Sequence, residues 1–162
     1  MCAAFALAAS PASAEAPVAR FEGKIMTPSE AWKVANSCVV RSATLMDCYR
    51  SNTEANAAVG WDPTPTFGTS QNLGLDDRAS RWPCLFEHEN GGGKRLIFNE
   101  EKWHHPGNRE FDNTVSSWNN NQFWCDDTGI LKDGQAFEFQ LDGCARASPM
   151  GHFDDEALYM HG

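Results

Sequence analysis

From residue 82 onward the apolar positions come in short runs: 84–87 (CLFE), 95–98 (RLIF) and 136–141 (AFEFQL). Turns rich in Gly, Asn and Asp separate them, and short strands at such spacing predict a sandwich or barrel. Gly91, Gly92 and Gly93 fall between two of the runs and read as a hairpin turn, since they lack the strand-to-helix setting of a phosphate loop. The texture upstream is different. Thr27 can cap a helix, Pro28 suits its first position, and Glu30 can complete a capping box. That helix carries Ala31, Trp32, Val34 and Ala35 and should stop near Asn36. Runs 38–41 and 44–49 then predict a hairpin, and Asn52, Thr53 and Glu54 open a second short helix through Val59. Residues 15–25 read as extended and polar. Residues 60–81 mix Gly, Pro, Thr, Ser and Asp without periodicity and read as a linker.

The N-terminus changes how the cysteines are read. Residues 3–9 (AAFALAA) are a short apolar run, and Ala12, Ser13 and Ala14 satisfy the small-residue cleavage rule, so a signal peptide over 1–14 is expected. In an oxidising compartment most of the cysteines beyond it should pair. Cys38 and Cys48 are close enough to staple the predicted hairpin. Cys84 and Cys125 bracket the next block and make the expected second pair, with Cys144 left over or exchanging into one of these bridges. The organisation is then a leader over 1–14, a small cysteine-bearing α+β region over 15–60, a linker over 61–81 and a β domain over 82–162.

Charge narrows the partners. Thirteen Lys and Arg face 22 Asp and Glu, a formal net charge of −9. Nucleic acid and anionic membranes are disfavoured by such a surface, whereas hard cations and basic proteins are favoured. No apolar stretch reaches the roughly 18 residues of a membrane span. No nucleophile elbow, phosphate loop or paired catalytic motif is present, and the reading is that the chain is not an enzyme. His104, His105 and Pro106 read as a surface loop, and Glu87, His88 and Glu89 as solvated side chains. The six tryptophans read mainly as core.

The run with chemistry in it is Phe111, Asp112, Asn113, Thr114, Val115, Ser116, Ser117. Calcium takes several oxygen ligands from carboxylates, amides, hydroxyls and carbonyls. A polar loop entering a strand offers a carbonyl and a hydroxyl two residues apart, here the Thr114 carbonyl and the Ser116 hydroxyl, with Asp112 just upstream. A weak repeat accompanies it: Phe111, Asp112, Asn113 are echoed 42 residues later by Phe153, Asp154, Asp155. Two related Greek-key units would give that period.

These residues resemble the N/D-N/D-x-x-S/T-S calcium motif of βγ-crystallin domains at every specified position. Residues 84–93 are similar to the first hairpin of that unit, with Phe86 and Gly93 in place and Gly91 where a second aromatic is usual. The Cys before the first strand and the Trp118, Asn119, Asn120 run resemble the secreted peptidase inhibitors of the Streptomyces metalloproteinase inhibitor type. The resemblance covers 84–125 well and 126–162 poorly. It implies a mainly β, βγ-crystallin-like double Greek-key sandwich, preceded by a small α+β disulfide-stapled N-terminal region. In the second unit Leu158 and Tyr159 replace the hydroxyl residues, so the resemblance implies at most one Ca2+ site. Its ligands would be the Thr114 carbonyl, the Ser116 hydroxyl and Asp154, with Asp112 serving the damaged site or ordering the loop. The function it implies is a secreted, extracellular peptidase inhibitor, a monomer whose partner is an extracellular protease, metalloproteases first. Loops 99–110 and 125–134 are the candidate inhibitory segments. The alternatives are an extracellular calcium-binding structural module and a secreted toxin-like binding protein.

Overall fold

The computed structural model describes residues 15–61, 81–122, 125, 128–134 and 138–161; the expected signal peptide and most of the expected linker lie outside them. The protein is mainly β. Strands β1 (Val18–Phe21) and β2 (Lys24–Met26) form a hairpin where the sequence reads only as extended and polar. The short helix α1 (Pro28–Ala31) starts as expected, with both halves of the Thr27–Glu30 capping box made. It does not run on to Asn36. Lys33 and Val34 donate to carbonyls three residues back, which tightens the last turn and delivers the chain into β3 (Ser37–Ser42). Strand β4 (Leu45–Tyr49) completes the expected hairpin. Helix α2 (Asn52–Ala58) is capped by the Ser51 side chain, and Gly60, at φ +80, ends it in the left-handed conformation that glycine adopts without strain.

The later block supplies β5 (Pro83–His88), β6 (Gly92–Phe98), β7 (Trp103–His104), β8 (Ser117–Asn120), β9 (Gly129–Lys132), β10 (Glu138–Leu141), β11 (Arg146–Ala147) and β12 (Tyr159–His161). The expected turn at Gly91, Gly92 and Gly93 is displaced. A 3-10 turn at Glu89–Gly91 makes the reversal, and Gly92 and Gly93 already belong to β6. Gly93 sits at φ +69, and a Cβ there would meet Glu87 Cβ at 2.9 Å. Only glycine fits both the conformation and the space.

Two sheets result. One holds eight strands in the order β11-β8-β5-β6-β3-β4-β1-β2, the other four in the order β10-β9-β12-β7. Strands β7 and β11 each leave their sequence neighbours and pair in the opposite sheet. The N-terminal region extends the larger sheet: β3 pairs in parallel with β6, Ser37 opposite Arg95 through Val40 opposite Phe98, so one sheet runs through both blocks.

The main core lies between the sheets, with Leu85, Leu96, Phe98 and Trp118 facing Leu131, Leu141 and Met160. Each such buried side chain contributes about 1.5–3 kcal/mol. Val39, Cys84, Phe86 and Ile97 point to the opposite face of the large sheet, where Ala55 of α2 covers them. Arg95 is fully buried on that side. It donates to Ser37 Oγ at 3.0 Å, to the Asn52 carbonyl at 2.9 Å and to Asn56 Oδ1 at 2.9 Å, and so binds α2 to both blocks.

Cys38 and Cys48, directly opposite in the β3–β4 hairpin, form the expected disulfide. The second bridge corrects the sequence reading. It joins Cys125 to Cys144, not Cys84 to Cys125. Cys84 lies within β5 with its side chain under α2, its sulfur 3.8 Å from the Trp82 carbonyl. Strand geometry thus turns it away from the Cys125–Cys144 bridge. Among the described residues no helix is long and apolar enough to cross a membrane.

Candidate functional site

The two related turns meet. Asn113 and Asp155 hold the second motif position in each, and both adopt a left-handed backbone, φ 50 and φ 59, which Asn and Asp tolerate best among side chains with a Cβ. Asn113 N–H donates to the Ala157 carbonyl at 3.2 Å, and Asp155 N–H donates to the Val115 carbonyl at 3.0 Å. These are equivalent positions exchanged, the signature of a local two-fold relation between the units. Phe111 and Phe153, one residue before each motif, are both buried in the main core and hold the turns there.

The site residues named from the sequence are brought together only in part. The Ser116 hydroxyl points across the pair, but the carboxylate it meets belongs to Asp155, 3.4 Å away, and not to Asp154. Asp154 is half-buried, with Oδ1 enclosed and without a hydrogen-bond partner. Thr114 uses its hydroxyl locally, donating to the Phe111 carbonyl at 3.1 Å, which leaves its carbonyl as the group on offer. Asp112 lies against its own unit: a Cβ on Gly107 would meet Asp112 Oδ2 at 2.9 Å.

The spacing tests whether an oxygen-seeking cation fits. A hydroxyl bonded to a carboxylate closes to about 2.5–2.7 Å, and 3.4 Å is far outside that. Two oxygens that each lie about 2.4 Å from one calcium ion stand roughly 3–3.5 Å apart. The Ser116–Asp155 separation fits such a pair, and the enclosed Asp154 oxygen is a further acceptor. Among the described residues no three His, Cys, Asp or Glu side chains gather at one point. Asp155 was legible in principle, because the 42-residue echo pairs it with Asn113.

A second constellation has no sequence signal. His104, expected on a surface loop, is buried, because Phe98 packs 5.3 Å from its ring and β7 turns it inward. Arg109 is buried as well and donates to the Ser42 carbonyl at 2.8 Å, the Ala43 carbonyl at 3.1 Å and the His105 carbonyl at 3.2 Å. It also stands 3.3 Å from His104 Nδ1. A guanidinium only donates, so that nitrogen is the acceptor of a neutral imidazole. Burial and then the Arg109 charge pull the His104 pKa down to about 4. Burial lowers Arg109 to about 10, still charged at neutral pH. Trp32 Nε1 donates to the Arg109 carbonyl at 2.6 Å. The segment from 99 to 110 is thus clamped to the β3–β4 turn and α1. Its Trp103 side chain is 47% exposed, an exception to the expectation of core tryptophans.

No protein-family model matches the chain, and no curated protein matches its sequence. Among solved structures the chain is similar to the N-terminal domain of protein S, with 17% identity, over 49% of this chain and 92% of that one, at a TM-score of 0.40.

Proposed function

We propose that this chain is an exported, monomeric, non-enzymatic binding protein on a crystallin-type double Greek key, and that its paired turns hold one calcium ion. The exchange of β7 and β11 between the sheets and the crossed hydrogen bonds of the two turns support the fold. One observation carries the calcium reading, the 3.4 Å separation of Ser116 Oγ and Asp155 Oδ1; the enclosed, unpartnered Oδ1 of the next residue in the chain, Asp154, supports it. The Thr114 carbonyl, Ser116, Asp155 and Asp154 would hold the ion. Calcium there would tie the units together across their two-fold, a structural role. So few carboxylates favour weak binding, on the order of 10⁻⁴–10⁻³ M as in extracellular modules. Calorimetric titration of the metal-free protein should give no more than one ion per chain and a calcium-dependent rise in Tm. No heat and no shift would reject the reading.

Peptidase inhibition is the second reading, and the Arg109 clamp favours it. An inhibitory loop binds well when its ordering is complete beforehand, and the 99–110 segment is held at its Arg109 end by two buried donors, Arg109 itself and Trp32. The 125–134 candidate starts at the Cys125–Cys144 bridge and runs into β9, which pairs with β10 and β12. Micromolar protein should inhibit a thermolysin-like metalloprotease, and Arg109→Met should weaken that inhibition at least tenfold. An absence of inhibition across metallo-, serine and cysteine proteases would discard it.

A further inference from the structure

The outer face of the four-stranded sheet follows from its register. Leu131, Met160 and His104 lie abreast and point into the core. Their strand neighbours therefore point outward: Gln140, Ile130, His161 and Trp103 in one row, Glu138, Lys132 and Tyr159 in the next. Trp103 and Tyr159, 47% and 38% exposed, are two of the most exposed large apolar side chains among the described residues. They stand on one face, next to a depression of about 250 Å³ that reaches down to His105 and Asn108.

The rings are braced. His161 packs edge-on to Trp103 at 5.2 Å, His105 edge-on to Tyr159 at 4.8 Å, and Lys132 Nζ lies 4.5 Å from the Trp103 ring centre. Such packing restricts the rings before a partner arrives, which lowers the entropic cost of binding. The face is also electrically quiet in a chain of net charge −9. Its cation, Lys132, lies 2.6 Å from its carboxylate, Glu138. Among the described residues of this face an ionic partner would find only this mutually paired cation and carboxylate.

Size separates the remaining neutral partners. Four strands abreast span about 14 Å, and two rows add about 7 Å, so the platform with its side-chain margins covers on the order of 200 Å². A stable protein partner needs about 800 Å² on each side. A few sugar rings match the platform. Their axial C–H faces stack on exposed aromatics, and their hydroxyls, each both donor and acceptor, suit a rim of amide and imidazole groups such as Gln140, Asn108 and His105.

We infer that this face, centred on Trp103 and Tyr159, binds a neutral polysaccharide. The inference does not rest on the calcium reading, and the sites share no residue. The test is depletion of the full chain from solution by chitin, by microcrystalline cellulose and by immobilised mannan, in low and high salt and with EDTA. At least one should retain the protein, with high salt leaving retention unchanged. Trp103→Ala and Tyr159→Ala should each weaken it about tenfold, whereas Ser116→Ala should leave it intact. Near-ultraviolet circular dichroism verifies that each variant is folded, and Tyr159→Phe, which keeps the ring, should retain most of the binding. Retention by none of the three overturns the inference. So does equal retention of Trp103→Ala, or retention by a proline-rich peptide resin in place of the polysaccharides.

Discussion

His104 and Arg109 show how a single buried pair sets a condition on the whole loop. The imidazole is neutral because it is buried and because a guanidinium that can only donate sits 3.3 Å from Nδ1. Its pKa falls from 6.5 to about 4 on folding. The unfolded chain therefore binds the proton first, and stability is full above about pH 6.5 and is lost as the pH falls toward 4. At about 1.4 kcal/mol per pH unit the loss reaches about 3 kcal/mol at most. Asp47 acts below that range. Burial raises its pKa, but hydrogen bonds from Arg20 and Arg41 outweigh burial and leave it below the usual carboxylate value, so its contribution disappears only under stronger acid. Denaturant unfolding at pH 7.5, 5.5 and 4.5 should show the His104 loss growing at each step down, absent at pH 7.5 and largest at pH 4.5. His104→Asn, whose side-chain oxygen replaces the Nδ1 acceptor without titrating, should flatten it. Nothing in the sequence marks Arg109 for this role, because two of its partners are carbonyls of residues 42 and 43, more than 60 positions away.

At the scale of elements the paired turns are the informative unit. Their existence is written locally: Asn113 and Asp155 suit a left-handed backbone, and Phe111 and Phe153 supply the apolar anchors. The division of labour among the acidic residues is not written locally. Asp112 packs on Gly107 of its own loop, and Asp155 crosses to Ser116. Ser116→Ala and Asp155→Asn should therefore each weaken calcium binding about tenfold or more in calorimetry, while Asp112→Asn should mainly lower the calcium-free Tm. Equal losses of affinity from all three would contradict this assignment. The cysteines carry the same lesson. Cys38 and Cys48 were legible because a hairpin brings close positions opposite each other. Cys84 and Cys125 were not, because a strand has two faces, and Cys84 is on the face that α2 covers.

At the scale of the molecule the two blocks share one sheet. Strand β3 covers the edge of β6, and α2 covers Phe86 and Ile97. A chain of residues 82–162 alone would expose both an open strand edge and an apolar face, the combination that promotes edge-to-edge association. It should aggregate or bind a hydrophobic dye, and melt well below residues 15–162; a fully soluble, equally stable fragment would show that the first region is dispensable. Hydrophobic runs, turn residues and the capping box determined by themselves that the chain is mainly β, where α1 starts and which turns repeat, since each is a property of neighbouring residues. Only the tertiary structure decided which strands exchange sheets, that the N-terminal region extends the larger one, which cysteine faces which, and that Trp103 stands outside while His104 stands inside. Those outcomes depend on contacts between residues tens of positions apart, and strand alternation yields the same local pattern whichever face is finally covered.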